Sequence, residues 1–282
     1  MRPALESYGT YAESDDRAAL GKFIVPITRL KELEEVGRDL MPRGRESEPW
    51  RLSVLVAEDV RAAAEEMLKF NRRHSSGSKD GHAVIDMAEL KASTADEIGH
   101  QRKDLPSSLV AYFEIPITGH VEPLVKMIAK VGARAKVRTG GITPEAFPPA
   151  RALIDFILAC QREVVPFKAT AGLHHPIRGE HRLTYEPDSP KGMMYGFLNV
   201  FIAAALLYIG ESQDTALAAL VETDQSAFTF AEDDIQWRGK RISVDQILAS
   251  RSAVAISFGS CSFREPVEEL AHLTHQTRST DL

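Results

Sequence analysis

Four segments of this chain set ionisable or polar side chains at every second position of otherwise apolar runs. Glu89 and Lys91 alternate with Ala88 and Leu90, Tyr112 and Glu114 with Phe113 and Ile115, Lys136 and Arg138 with Ala135 and Val137, and Lys168 and Thr170 with Phe167 and Ala169. Successive side chains of a β-strand point to opposite faces, so each segment has an apolar face and a polar or charged one. Strands of a parallel sheet are normally apolar on both faces. Acids on two segments, followed by bases on the next two, imply a mutually neutralising cluster, because an ion buried alone is costly. That cluster serves either as structural ion pairs or as a catalytic group. In the catalytic reading Lys168 is an imine-forming amine or general base, its neutral form favoured by the cations Lys136 and Arg138. Glu89 or Glu114 moves protons, and Arg138 holds a carboxylate or phosphate.

Two short turns follow these segments directly, Thr139-Gly140-Gly141 and Thr170-Ala171-Gly172. Such turns let backbone N–H groups approach an anion, so Thr139, Gly140, Gly141 and Thr170 are candidate substrate contacts. Residues 173–192 form a long loop holding His174, His175, Arg178, His181 and Arg182. Loops of this length in a compact domain are commonly lids or binding loops. His174 shares the parity of Lys168 and is a candidate proton shuttle, with His175 beside it as a substrate contact. Asn199 interrupts an apolar helix, either as a buried amide satisfied by backbone or as a ligand contact. Gly259 and Ser260, ahead of a helix starting near Glu265 and Pro266, suit a phosphate. Cys261 has no evident partner and reads as a packed thiol. A zinc reading with His174, His175, His181 and Glu89 or Glu114 lacks a familiar ligand spacing. No residue is assigned to a metal and no cofactor is firmly implied, while a divalent ion stays open.

The elements that must carry these residues alternate strand and helix. Strands are expected at 22–27, 52–57, 83–90, 109–115, 133–139, 164–170, 227–230 and 253–258, with helices between them. Asp59 and Ser93 or Thr94 are expected helix caps. Eight such units predict a (β/α)8 TIM-type barrel of parallel strands, with the charges at the ends where barrel sites lie. The alternative is a doubly wound open parallel sheet, although no glycine-rich dinucleotide fingerprint follows the first strand. The expected division is an N-terminal extension (1–20), the barrel (21–273) and a C-terminal tail (274–282).

Composition narrows the function classes. The formal net charge of −6 and the scattered basic residues exclude a nucleic-acid stripe. The apolar run 197–209 is too short to cross a bilayer, and no secretory signal opens the chain. Two distant cysteines, Cys160 and Cys261, fit reduced cytoplasmic thiols. The small apolar residues of 197–207 serve either a core or a homo-oligomer interface.

The strings Lys136-Val137-Arg138-Thr139-Gly140-Gly141, Phe167 to Pro176, Gly196-Phe197-Leu198-Asn199 and Phe258 to Phe263 resemble those of a bacterial protein family with no established activity. That resemblance spans most of the chain and implies no chemistry. Phe167-Lys168-Ala169-Thr170-Ala171-Gly172 is locally similar to the reactive-lysine strand of Schiff-base aldolases of the deoxyribose-phosphate type, which implies a reactive Lys168. The paired acids and bases are loosely similar to type II phosphoribosyltransferases. The expected function is a lyase or isomerase acting on a small anionic carbonyl or phosphorylated metabolite. Phosphoribosyl transfer or other metal-assisted chemistry, and a non-catalytic metabolite- or protein-binding barrel, are the alternatives.

Overall fold

The computed structural model describes residues 1–57 and 59–278 of an α/β protein. Its chain divides into two compact units, Met1–Glu114 with Lys130–Arg134, and Ile115–Ala129 with Ala135–Leu282.

The first unit runs α1 (Arg2–Ala12), β1 (Phe23–Pro26), α2 (Leu30–Gly37), β2 (Trp50–Leu55), α3 (Val60–Arg73), β3 (Ala83–Lys91), α4 (Ala95–Asp104) and β4 (Val110–Glu114). Its strands pair in parallel and in chain order. The expected caps form: Asp59 accepts from the Ala62 N–H at 3.0 Å, and Thr94 makes a capping box with Glu97. Helix α3 buries Ala63, Ala64, Met67 and Phe70 at helical spacing. Its Asn71 side chain donates to the Ile85 carbonyl and accepts from the Ile85 N–H, both at 2.7 Å, where the β2–β3 register slips by one residue. The passed-over Asp86 pairs with Lys22 and Arg51. Residues 1–20, read from sequence as an extension, belong to this unit. Leu5 of α1 is wholly buried, and Arg2 donates to Asp39 at 3.0 Å and to the Val36 carbonyl at 3.2 Å.

The second unit runs α5 (Glu122–Lys130), β5 (Arg134–Arg138), α6 (Ala150–Arg162), β6 (Phe167–Thr170), β7 (Gly179–Arg182), β8 (Lys191–Met194), α7 (Phe197–Tyr208), α8 (Gln213–Val221), β9 (Phe228–Phe230), β10 (Asp234–Trp237), β11 (Lys240–Ser243), α9 (Val244–Ala253), β12 (Ala255–Gly259) and α10 (Arg264–Arg278). Strand β6 pairs in parallel with β5 on one side and β12 on the other. The parallel sheet as a whole has seven strands in the order β1-β2-β3-β4-β5-β6-β12.

The parallel α/β expectation holds, and the strand count is corrected. Ala227–Phe230 is not a strand of the parallel sheet. Strand β9 pairs antiparallel with β10, which turns through Arg238 and Gly239, both at positive φ, into β11. A two-residue turn with both φ positive matches the twist of an antiparallel hairpin. Among the described residues the parallel sheet therefore lacks the eighth strand of a (β/α)8 barrel. Its order also has no reversal of the kind a doubly wound sheet requires. Right-handed crossovers in such an order place the connecting helices on one face. In the second unit that face is apolar: Phe167 meets Phe156 of α6 edge-on at 5.1 Å, and Phe258 stacks on Phe197 of α7 at 4.7 Å.

Residues 173–192 hold a β-hairpin, β7 paired antiparallel with β8, rather than an unstructured loop. Of the expected tail, 274–278 continue α10 and 279–282 lie outside the described residues. No described helix is long and apolar enough to cross a membrane.

Phe167 is fully buried against α6, so Phe167→Ala is expected to lower unfolding free energy by about 3–5 kcal/mol, read from the urea midpoint at unchanged slope.

Candidate active site

The strand parity expected from sequence holds within each unit. In the first unit Glu89 is level with Tyr112, and Lys91 with Glu114. Glu89 and Glu114 are only 3% and 9% exposed. The Ser53 hydroxyl donates to Glu89 at 2.6 Å, and the Lys91 ammonium lies 3.9 Å from Glu114. In the second unit Lys136 is level with Lys168, and Arg138 with Thr170. Lys136 and Lys168 are buried, at 8% and 5% exposure, and Arg138 is exposed.

The turns proposed as anion cradles are tightly packed. The buried Thr139 hydroxyl donates to the Ala171 carbonyl at 2.7 Å, and the Thr170 hydroxyl to the Val137 carbonyl at 3.3 Å. A Cβ on Gly140 would stand 2.4 Å from the Phe147 ring, and one on Gly141 would stand 2.7 Å from the Ala146 methyl. These glycines admit neighbouring side chains, and the two hydroxyls tie β5 to β6. Ser260 accepts from the Ser262 N–H at 3.2 Å, and Ser262 accepts from the Glu265 N–H at 3.2 Å, so the serines after β12 shape the start of α10.

Asn199 resolves toward the satisfied-amide reading. It is wholly buried; its amide donates to the Ala219 and Glu222 carbonyls at 2.7 and 3.0 Å, and its oxygen accepts from the Arg178 N–H at 2.8 Å. The first N–H groups of α7 reach the same loop, Phe197 to the His175 carbonyl and Leu198 to that of Pro176, both at 3.0 Å. A Cβ on Gly196 would fall 2.3 Å from the Pro176 carbonyl oxygen, so this approach requires glycine. The base of the histidine loop is thereby fixed.

That loop meets the turn between β12 and α10. Cys261, expected as a packed thiol, is exposed, and its Sγ lies 3.6 Å from Nδ1 and 3.7 Å from Nε2 of His174. His174 Nδ1 is 3.2 Å from Glu265 Oε2. The Tyr185 hydroxyl, at the tip of the β7–β8 hairpin, donates to the same Oε2 at 2.9 Å and lies 3.7 Å from Sγ. His175 Nδ1 is 2.9 Å from each oxygen of Glu269, one turn further along α10. The His181 ring stacks on that of His175 at 3.5 Å.

No protein-family model, curated protein or solved structure matched this chain.

The electrostatics of the cluster follow from its contacts. The His174 hydrogen bond, assisted by that of Tyr185 and opposed by burial, lowers the Cys261 pKa. The bond to Cys261, with the charge of Glu265 adding, raises that of His174 against burial. Burial and then the neighbouring His175 push His181 down to about 4, so it is neutral at pH 7. Burial of its hydroxyl and the bonds to Cys261 and Glu265 raise the Tyr185 pKa, so the phenol stays a donor. Cys261 also stands just before a helix N-terminus, where the backbone dipoles favour a thiolate. A Cys-His-Glu arrangement of this kind is suited to nucleophilic attack.

Sequence reasoning missed Cys261, Tyr185, Glu265 and Glu269 as site residues. The available signal was a cysteine between a last strand and a helix whose fourth-spaced glutamates, Glu265 and Glu269, share one face.

Removing the Asn199 amide takes a partner from the Arg178 N–H and the Glu222 carbonyl, and one of two donors from the Ala219 carbonyl. Asn199→Ala is expected to cost about 2–4 kcal/mol in urea unfolding and to release protection of the Arg178 amide in hydrogen exchange.

Proposed function

We propose that this chain is an enzyme acting on a small anionic carbonyl compound, with Cys261 as its nucleophile. The observation that carries this reading is the Cys261 sulfur within 3.7 Å of both ring nitrogens of His174, whose Nδ1 meets Glu265. With Nδ1–H donated to Glu265, Nε2 takes the thiol proton as the ring turns toward sulfur. The thiolate adds to the carbonyl carbon, and the Tyr185 hydroxyl, 3.7 Å from sulfur, exchanges its bond to Glu265 for one to the developing oxyanion. The imidazolium then returns its proton to the leaving group, and water attacks the thioester with His174 again as base. The anionic preference is supported by Arg138, the last residue of β5, and by Lys136 and Lys168, level with each other on β5 and β6. Sites at such strand ends occur in closed barrels and open sheets alike, so the reading does not depend on an eight-stranded barrel. A working thiolate also suits a reducing compartment such as the cytoplasm.

A second reading keeps the expected lyase or isomerase chemistry, with Lys168 as imine former. It is supported by the level placement of Lys136 and Lys168 on adjacent parallel strands, which sets two amines about 5 Å apart at the backbone.

The cysteine reading predicts that p-nitrophenyl acetate releases nitrophenolate in a burst equal to the enzyme concentration, with acetyl on Cys261 by mass spectrometry. Cys261→Ala should show no burst, and His174→Ala a burst slower by about 100-fold or more. Because the folded thiol pKa is lowered, iodoacetamide should still alkylate Cys261 rapidly below the usual thiol value of about 8.5. Reactivity should fall as pH drops through the lowered value, and His174→Ala should move that midpoint upward. A burst that survives in Cys261→Ala, or an ordinary thiol midpoint in the parent chain, overturns the reading.

The lysine reading predicts that borohydride with a 2-oxo acid leaves a reduced adduct on Lys168 in both the parent and Cys261→Ala chains. Absence of any lysine adduct removes it.

A further inference from the structure

We propose that His175, Glu265 and Glu269 form a binding site for one divalent transition-metal ion beside the Cys261–His174 pair. The proposal goes beyond the nucleophile reading and shares one residue with it, Glu265. One ligand atom from each of the three residues lies within 4.8 Å of the others. All three side chains are partly buried, the imidazole at 16% and the carboxylates at 27% and 42% exposure. Each side chain is thus partly shielded and partly open to water, as an ion that keeps water ligands requires.

Several details point to an ion rather than to three ordinary surface groups. The carboxylates stand four residues apart on α10, each with an oxygen within 4.8 Å of the other's and of a His175 nitrogen, and like charges so placed favour a cation between them. Glu269 presents both oxygens at equal distance, 2.9 Å, from His175 Nδ1, the posture of a bidentate carboxylate around a shared charge. The bonds to Glu265 from His174 and Tyr185 both fall on Oε2, which leaves Oε1 for the ion. His175 is held from behind: its carbonyl accepts from the first turn of α7, and its ring is stacked by His181. The imidazole is therefore oriented before an ion arrives.

The donor set, one imidazole nitrogen and two carboxylates, selects zinc, manganese, iron(II) or cobalt(II) over magnesium, which prefers oxygen and water. Glu265 then joins the ion to His174, which makes it the element through which occupancy would be felt at the nucleophile.

The test is calorimetric titration of the tag-free full chain with Zn²⁺ alone, and separately with Mn²⁺ and Mg²⁺, after chelation and desalting. The expected result is one Zn²⁺ or Mn²⁺ per chain, accompanied by a rise in melting temperature, with Mg²⁺ far weaker. His175→Ala and Glu269→Gln should each weaken binding by at least about 10-fold while keeping the parent circular dichroism. Cys261→Ala should bind as the parent does. Failure of all three ions to bind, or equal binding by His175→Ala and Glu269→Gln, overturns the site. Loss of binding in Cys261→Ala with retention in His175→Ala also overturns it, assigning the zinc to the thiolate alone. Cys261 alkylation measured on the same variants with chelator present separates the two readings, since the nucleophile needs neither His175 nor Glu269.

Discussion

The direct pairing of β12 with β6 is the constraint on which the site depends. Thr170 and Gly259 are level in that parallel pair, so both strands end at the same edge. Neighbouring strands lie about 4.8 Å apart. The chain leaves β6 and reaches His174 in four residues, and it leaves β12 and reaches Cys261 in two. At that spacing sulfur and imidazole come within 3.7 Å without either loop extending far. A strand placed between β6 and β12 would roughly double the separation and break the contact. Helix α10 starts at once from the same turn, and its fourth-spaced Glu265 and Glu269 each meet one of the two adjacent histidines.

A strand order that rises without reversal has a second consequence. Helices gather on one face, so the apolar side chains of β6 and β12 meet α6 and α7 through Phe167 and Phe258. The opposite positions are then relieved of helix packing and hold Lys136, Lys168 and Arg138 in the second unit, and Glu89 and Glu114 in the first. Side chains so placed project from the sheet ladder rather than from loops. The alternation that first drew attention to these segments is the mark of this one-sided covering.

The β-alternation and helical periodicity were legible because each depends on local spacing, and all seven parallel strands and most helices fall where those periods place them. The seventh parallel strand was placed in order but given the wrong neighbour. Residues 227–230 have the composition of a strand, and nothing local tells a parallel partner from an antiparallel one. The partner, Asp234–Trp237, is short and half polar, so it carries little signal of its own. That error hid the site. With a strand between the sixth and the last, Cys261 and His174 are remote, and Cys261 reads as inert. Asn199 was legible as one of two roles, and the choice needed the backbone of α8, twenty residues away. Residues 1–20 were read as an extension because α1 is held by contacts distant in sequence, Arg2 on Asp39 and Tyr8 edge-on to Trp50, beside the buried Leu5.

The hairpin over the site is held unequally at its two ends, and this bears on how a substrate reaches sulfur. Its base is fixed by three kinds of contact: the Asn199 oxygen on the Arg178 N–H, the α7 N–H groups on the His175 and Pro176 carbonyls, and the close approach at Gly196. At its tip the 71% exposed Tyr185 reaches over the cysteine to Glu265 and Cys261. Moving the Tyr185 side chain therefore gives up the contacts of one exposed hydroxyl, while moving the base would strip several buried ones. His174 and His175 belong to the fixed part and Tyr185 to the movable part. On the proposed reading, the base and nucleophile keep their geometry while the phenol swings aside to admit a carbonyl and returns to donate to it, a division of labour that places precision at the base of the hairpin and access at its tip.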